Sequence, residues 1–132
     1  MTRDERAKAF HAQGLNCAQS VLLALEDYTG LDPAIAQKVA SGFGGGVRSG
    51  EICGCVTGAV MALGLRTAQS ETAELTKALV AAFREEHGCV RCDDLKEKYG
   101  GKTMCDTMIG ATAELASRFF AEHDILPLET EE

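Results

Sequence analysis

The residues best able to do chemistry in this 132-residue chain are its six cysteines, Cys17, Cys53, Cys55, Cys89, Cys92 and Cys105. Cysteines that only fill a core are scattered singly, whereas four of these fall in close pairs. Cys53-Gly54-Cys55 is a Cys-x-Cys, too strained for an easy internal disulfide but able to offer two thiolates to one metal. Cys89-Val90-Arg91-Cys92 is a Cys-x-x-Cys, the spacing that bridges one metal or closes a small disulfide ring. The two pairs together also satisfy a four-thiolate zinc site. In a reducing compartment such groupings serve metal binding or redox chemistry.

Helices must position these thiols. Glycines and prolines divide the chain into helical blocks, and no strand-period alternation lasts more than a few residues. Thr2 caps a first helix to about His11, and Asn16 caps a second whose Cys17, Val21, Leu25 and Tyr28 share a face. Asp32-Pro33 opens a third, to about Ser41. The run FGGGVRSGEICG holds too many glycines for regular structure and reads as a loop. Further helices are expected from about Cys55 to Ala68, from Ser70 to a stop at Gly88, as a short turn over Asp93–Lys98, and from Met104 to His123. The expected fold is all-α, a compact bundle of four to six helices with a Gly-rich loop. Residues 1–125 form one helical redox domain, and 126–132 a flexible C-terminal tail.

On this map every thiol lies near a predicted helix start. The first backbone N–H groups of a helix lack internal partners, and the peptide dipoles add about half a positive charge there. Both favour thiolate, lowering a cysteine pKa from ~8.5 toward ~3.5–7.5. Thiolate is the form that attacks disulfides and binds soft metals. His11, His87 and His123 sit at predicted helix C-terminal ends, where the dipole explains them; His87, close to Cys89, is also a candidate ligand or proton carrier. The Gly loop could cradle an anion with help from Arg48. It matches neither a P-loop nor a Rossmann fingerprint, however, and its amides are better suited to packing around the sulfurs of Cys53 and Cys55.

Thirteen basic residues against 20 acidic give a net charge of -7, which disfavours nucleic acid and anionic membrane surfaces as partners. The apolar stretch Ala59–Leu65 is far short of the ~20 residues of a membrane span, so no membrane insertion is expected. The start MTRDERAKAFHAQG lacks the apolar core of a secretory signal, and the expected location is cytoplasmic.

The order GLNCAQSVLLAL, FGGGVRSGEICGCVTGAVMALGL, HGCVRCDDL and a late Cys105 resembles the C_GCAxxG_C_C family of redox-active proteins. The resemblance maps the family's four characteristic cysteines onto Cys17, Cys53, Cys92 and Cys105. Its central element usually reads Cys-Gly-Ala-x-x-Gly, so Cys55 replaces the alanine and Cys89 is additional; the two extra thiols either join the main site or pair with each other. A similar region accompanies haem domains in split-Soret cytochromes, which implies an iron–sulfur cluster. This chain has no Cys-x-x-Cys-His for haem.

The expected function is therefore redox activity at converging cysteines. In one form Cys17, Cys53, Cys92 and Cys105 hold an iron–sulfur cluster, or another metal, for electron transfer or sensing, with Gly44, Gly45, Gly46 and Gly54 supplying the backbone around it. The alternative cofactor is zinc, or none. In the second form the chain is a thiol–disulfide oxidoreductase with Cys53 as nucleophile and Cys55 or Cys92 among its catalytic thiols. A helical binding module with incidental cysteines is the third form. The expected partner is a redox protein or a small thiol or disulfide.

Overall fold

The first two helices of the computed structural model, which describes residues 1–101 and 104–128 and only the backbone of Met104, open on reciprocal caps. Before α1 (Arg3–Ala12), Thr2 Oγ1 accepts from the Glu5 N–H at 3.1 Å, and Glu5 Oε1 accepts from the Thr2 N–H at 2.9 Å. Before α2 (Cys17–Ala24), Asn16 and Gln19 do the same at 2.8 and 2.9 Å, so Cys17 is the first helical residue. Six of the eight residues of α2 are buried, as befits a central helix that is apolar all round.

The second predicted helix does not run through to Tyr28. The Arg3 guanidinium takes the Ala24 carbonyl at 2.8 Å, the acceptor that the Tyr28 N–H would use in a continuous helix. Tyr28 donates to Leu25 O at 2.9 Å instead, and a separate turn, α3 (Glu26–Thr29), follows and ends at Gly30. Arg3 also makes a two-point ion pair with Asp27, at 2.7 and 2.9 Å, and sits over the Tyr28 ring.

Asp32 and Pro33 start α4 (Pro33–Ala40) as expected, the Asp32 carboxylate accepting from two amides. The glycine run then forms a π-type turn over Gly46–Gly50, followed by α5 (Gly54–Arg66), α6 (Gln69–His87), α7 (Cys92–Tyr99) and α8 (Met104–Glu122). Among the described residues there are thus nine helical segments and no strand, more than the four to six helices expected. The excess comes from the short pieces α3 and α7 and from the glycine turn. The fold is all-helical. None of the described helices is long and apolar enough to cross a membrane. Residues 126 and 128 of the expected tail are held: Leu126 O accepts from Arg66 at 2.7 Å, and Leu128 donates to Asp27 O at 2.8 Å. Positions 129–132 lie outside the described residues.

Three contacts set the frame around the cysteines. α5 packs on α2 through its glycine-bearing face: a Cβ on Gly58 would lie 2.7 Å from Ala18 O. α1 and α8 pack together along their length, and Tyr28 meets Phe120 edge-on at 4.9 Å. A single antiparallel bridge, Ile52 with Arg91, joins the segments that lead into α5 and α7. Its hydrogen bonds, Cys53 N–H to Val90 O at 2.8 Å and Cys92 N–H to Glu51 O at 2.6 Å, fasten two helix starts side by side.

Replacing Gly58 with alanine should lower the chemical-denaturation midpoint. Overpacking against the α2 backbone costs about 1–3 kcal/mol, more than the ~0.5–1 kcal/mol of helix propensity that alanine gains over glycine. An unchanged or raised midpoint would show that α5 is not seated on α2 at this point.

Candidate functional site

Cys17, Cys53, Cys55, Cys92 and Cys105 come from four helix starts and line one cavity of about 350 Å³. Cys17 opens α2, Cys53 caps α5 with Cys55 two residues on, Cys92 opens α7, and Cys105 is the second residue of α8. Cys89 lies between Gly88 and α7 and is not in the cavity wall; its thiol points to the His87 carbonyl, 4.0 Å away. The Cys53/Cys55/Cys89/Cys92 set that would satisfy zinc is therefore not assembled around this cavity. Among the described residues, no three His, Cys, Asp or Glu side chains group closely enough to hold a metal ion as they stand.

The glycines expected at the site each meet it. Gly54, the first residue of α5, has no side chain where the Cys17 sulfur sits, and any Cβ there would collide with that atom. Gly44 abuts the Asn16 cap, and Gly46, at φ +65°, passes within 2.9 Å of Cys92 Cβ as measured from where its own Cβ would be. Gly44 and Gly45 line the cavity. The amide of Gly45 donates to the Cys17 sulfur. The glycine run thus wraps Cys17 and Cys92, where sequence placed it around Cys53 and Cys55.

Electrostatics divide the thiols into two groups. The Cys17 pKa is lowered to about 6, first by the neighbouring Cys55 thiol acting as donor, then by the N–H groups of Gly45, Ala18 and Cys17 itself, all against the opposing effect of burial. Cys53 is also lowered, chiefly by Cys55 and less by the Cys55 and Val56 amides at the start of α5, while the Cys17 charge opposes it. Cys55 is pushed well above the ordinary thiol range because its proton serves both neighbours. Cys92 and Cys105 go the other way. Burial raises both, and Lys96 offsets only part of the rise. The helix-start argument therefore holds for Cys17 and Cys53, while at Cys92 and Cys105 desolvation outweighs it.

Residues 15–119 match the family model described as "putative redox-active protein (C_GCAxxG_C_C)". The chain belongs to the C_GCAxxG_C_C family. No curated protein and no solved structure matches it. The match spans the cavity-lining cysteines from Cys17 to Cys105.

Other wall residues were not singled out as site residues by sequence. His11 reaches the cavity from the end of α1 and pairs with Asp106 at 3.3 Å, a contact that depends on how α1 crosses α8 and leaves no local trace. Lys96 had a signal: it lies one helical turn after Cys92, on the same face of α7. Met108 lines the cavity as part of the core. His87 does not line it. Its ring packs against Phe83 and Tyr99, and among the described residues its buried Nε2 has no partner.

Replacing Cys55 with alanine should raise the titration midpoint of Cys17 above about 6, read from thiolate absorbance in the ultraviolet. A midpoint that stays put would show that the amides alone hold the charge. Burial keeps the His87 imidazole below its usual pKa of 6.5. Between its folded value and 6.5 the unfolded chain takes up a proton that the folded chain does not, so stability falls as pH drops below about 6.5. His87→Phe should flatten that part of the stability–pH curve, measured by denaturant titration across the range; an unaltered slope would assign it elsewhere.

Proposed function

We propose that this protein is a thiol–disulfide redox protein in which Cys17 is the nucleophile, Cys53 the resolving thiol and Cys55 their shared proton donor. The supporting observation is the Cys17 pKa of about 6 at a half-buried residue on the cavity wall. A thiol that titrates near ambient pH combines a high thiolate fraction with good nucleophilicity. Cys53, the nucleophile expected from sequence, is more deeply buried and feels the Cys17 charge.

The charge arrangement gives the order of events. Cys17 thiolate attacks one sulfur of a disulfide, the sulfur–sulfur bond breaks, and one half leaves as a thiolate. The other half stays on Cys17 as a mixed disulfide, so the negative charge on Cys17 is gone. Its opposition to Cys53 ionisation disappears, and Cys55 is left with one neighbour to serve. Cys53 then loses its proton to solvent, attacks the Cys17 sulfur and expels the second thiolate. Two electrons have passed from the Cys17/Cys53 pair to the disulfide, and the pair is left as a disulfide.

A second reading, a cluster or metal on Cys17, Cys53, Cys92 and Cys105, is favoured by one observation. Those four thiols face the same cavity, and Arg48 and Lys96 in its wall could balance thiolate charge. Soft thiolate donors suit iron–sulfur chemistry, but Cys92 and Cys105 favour the protonated form and the side chains do not close on a common point. A cluster so held would supply one-electron transfer.

Cys53→Ser should trap a mixed disulfide on Cys17 when the reduced protein meets a small disulfide at neutral pH, visible as an added mass on the Cys17 peptide. Cys17→Ser should show no rapid adduct at any thiol. If alkylation of Cys17 instead rises only near an unperturbed thiol pKa of about 8.5, the nucleophile assignment fails. Iron and sulfide bound to anaerobically purified protein, and lost in Cys17→Ser, would move the assignment to the cluster.

A further inference from the structure

The cavity differs in charge from the chain that encloses it. Acidic residues outnumber basic ones by 20 to 13, yet among the described residues no carboxylate lines the cavity while Arg48 and Lys96 both do. Among the described residues neither cation has an acidic partner within ion-pair distance. Arg48 gives one N–H to the Ser41 carbonyl at 3.0 Å, which anchors the guanidinium without neutralising it. Its backbone holds a left-handed conformation, φ +58°, beside Val47 at φ +59°. For residues other than glycine that conformation costs about 1–2 kcal/mol each, and here it places Arg48 in the cavity wall.

Lys96, on α7, also lies in the wall, and its charge is felt at both Cys92 and Cys105. The nearby acids are turned elsewhere. Asp93, which also acts on Cys92, has its carboxylate against Gly50, and Asp106 faces His11. Two cations set against one Cys17 thiolate leave the cavity net positive. Its volume of about 350 Å³ is at the lower end of the ~300–1,000 Å³ of small-molecule pockets.

We infer that the cavity selects small disulfides that carry carboxylates a few bonds from the sulfur–sulfur bond, Arg48 and Lys96 holding the carboxylates while Cys17 attacks. The inference rests on the thiol–disulfide reading above and names its substrate class. The step is balanced as before. Cys17 sulfur bonds to one half, the carboxylate-bearing thiolate of the other half departs and takes its proton from water, and the electrons come from the Cys17/Cys53 pair. Without the two cations an anionic disulfide would be repelled by the thiolate it must approach; with them the same charge draws it in.

The test measures Cys17 modification by 3,3′-dithiodipropionate (anionic), 2-hydroxyethyl disulfide (neutral) and cystamine (cationic). Each rate is divided by that of free 2-mercaptoethanol thiolate with the same disulfide, which removes differences in leaving-group chemistry. The corrected order should be anionic, neutral, cationic, with an anionic-to-cationic ratio of at least about tenfold at low salt. The ratio should shrink in high salt, in Arg48→Met and Lys96→Met singly, and most in the double variant. The salt series on the unaltered protein keeps the test valid if a variant folds poorly. A ratio near or below one, or one that salt and both substitutions leave unchanged, overturns the inference alone. A Cys17 inert to all three overturns the thiol–disulfide reading, and the inference with it.

Discussion

The start of α5 reaches the start of α2 only because it carries no side chain where the two meet. Gly54 faces the Cys17 sulfur and Gly58, one turn further along α5, faces the backbone of the next residue, Ala18. That approach brings the free amides of two helix starts to one place. It also puts Cys55 between Cys17 and Cys53, so a single thiol proton can serve either sulfur. The division of the site into a pair with lowered pKa values and a pair with raised ones follows from it, since Cys92 and Cys105 come from helices that have no such neighbour.

The helices were legible from local chemistry because their ends are locally encoded. Thr2, Asn16 and Asp32 cap the starts that their residue types predict, and Gly30, Gly88 and Gly100 end helices in the left-handed conformation. What escaped was set by distant residues. Leu25 interrupts a helix because Arg3, from the first helix, takes the Ala24 carbonyl. The bridge between Ile52 and Arg91 has no periodic signal, since one residue pair is too short to alternate.

The site divides in the same way. The placement of five cysteines at helix starts could be read from capping and glycine patterns, but their ionisation could not. Cys92 and Cys105 have favourable helix positions, yet burial among Leu95, Met108 and the neighbouring thiols decides their state. Cys55 looked like one half of a metal-binding pair and turned out to be fully buried beside two lower-pKa sulfurs, which is a property of packing. Lys96 could have been found from its spacing to Cys92, whereas His11 depends on the crossing of α1 and α8.

The turn after Phe43 winds against the hand of the rest of the molecule, with Gly45, Gly46, Val47 and Arg48 all at φ between +58° and +65°. Ordinary expectations about mutational tolerance are therefore inverted there. Glycine or asparagine at position 47 would relax the fold, although elsewhere glycine loosens a chain, and a β-branched residue there is among the worst accommodated. Valine persists at that point against the local preference of its own backbone. A survey of stabilising substitutions in this protein would find its easiest gains in the segment that supplies Gly44, Gly45 and Arg48 to the cavity wall.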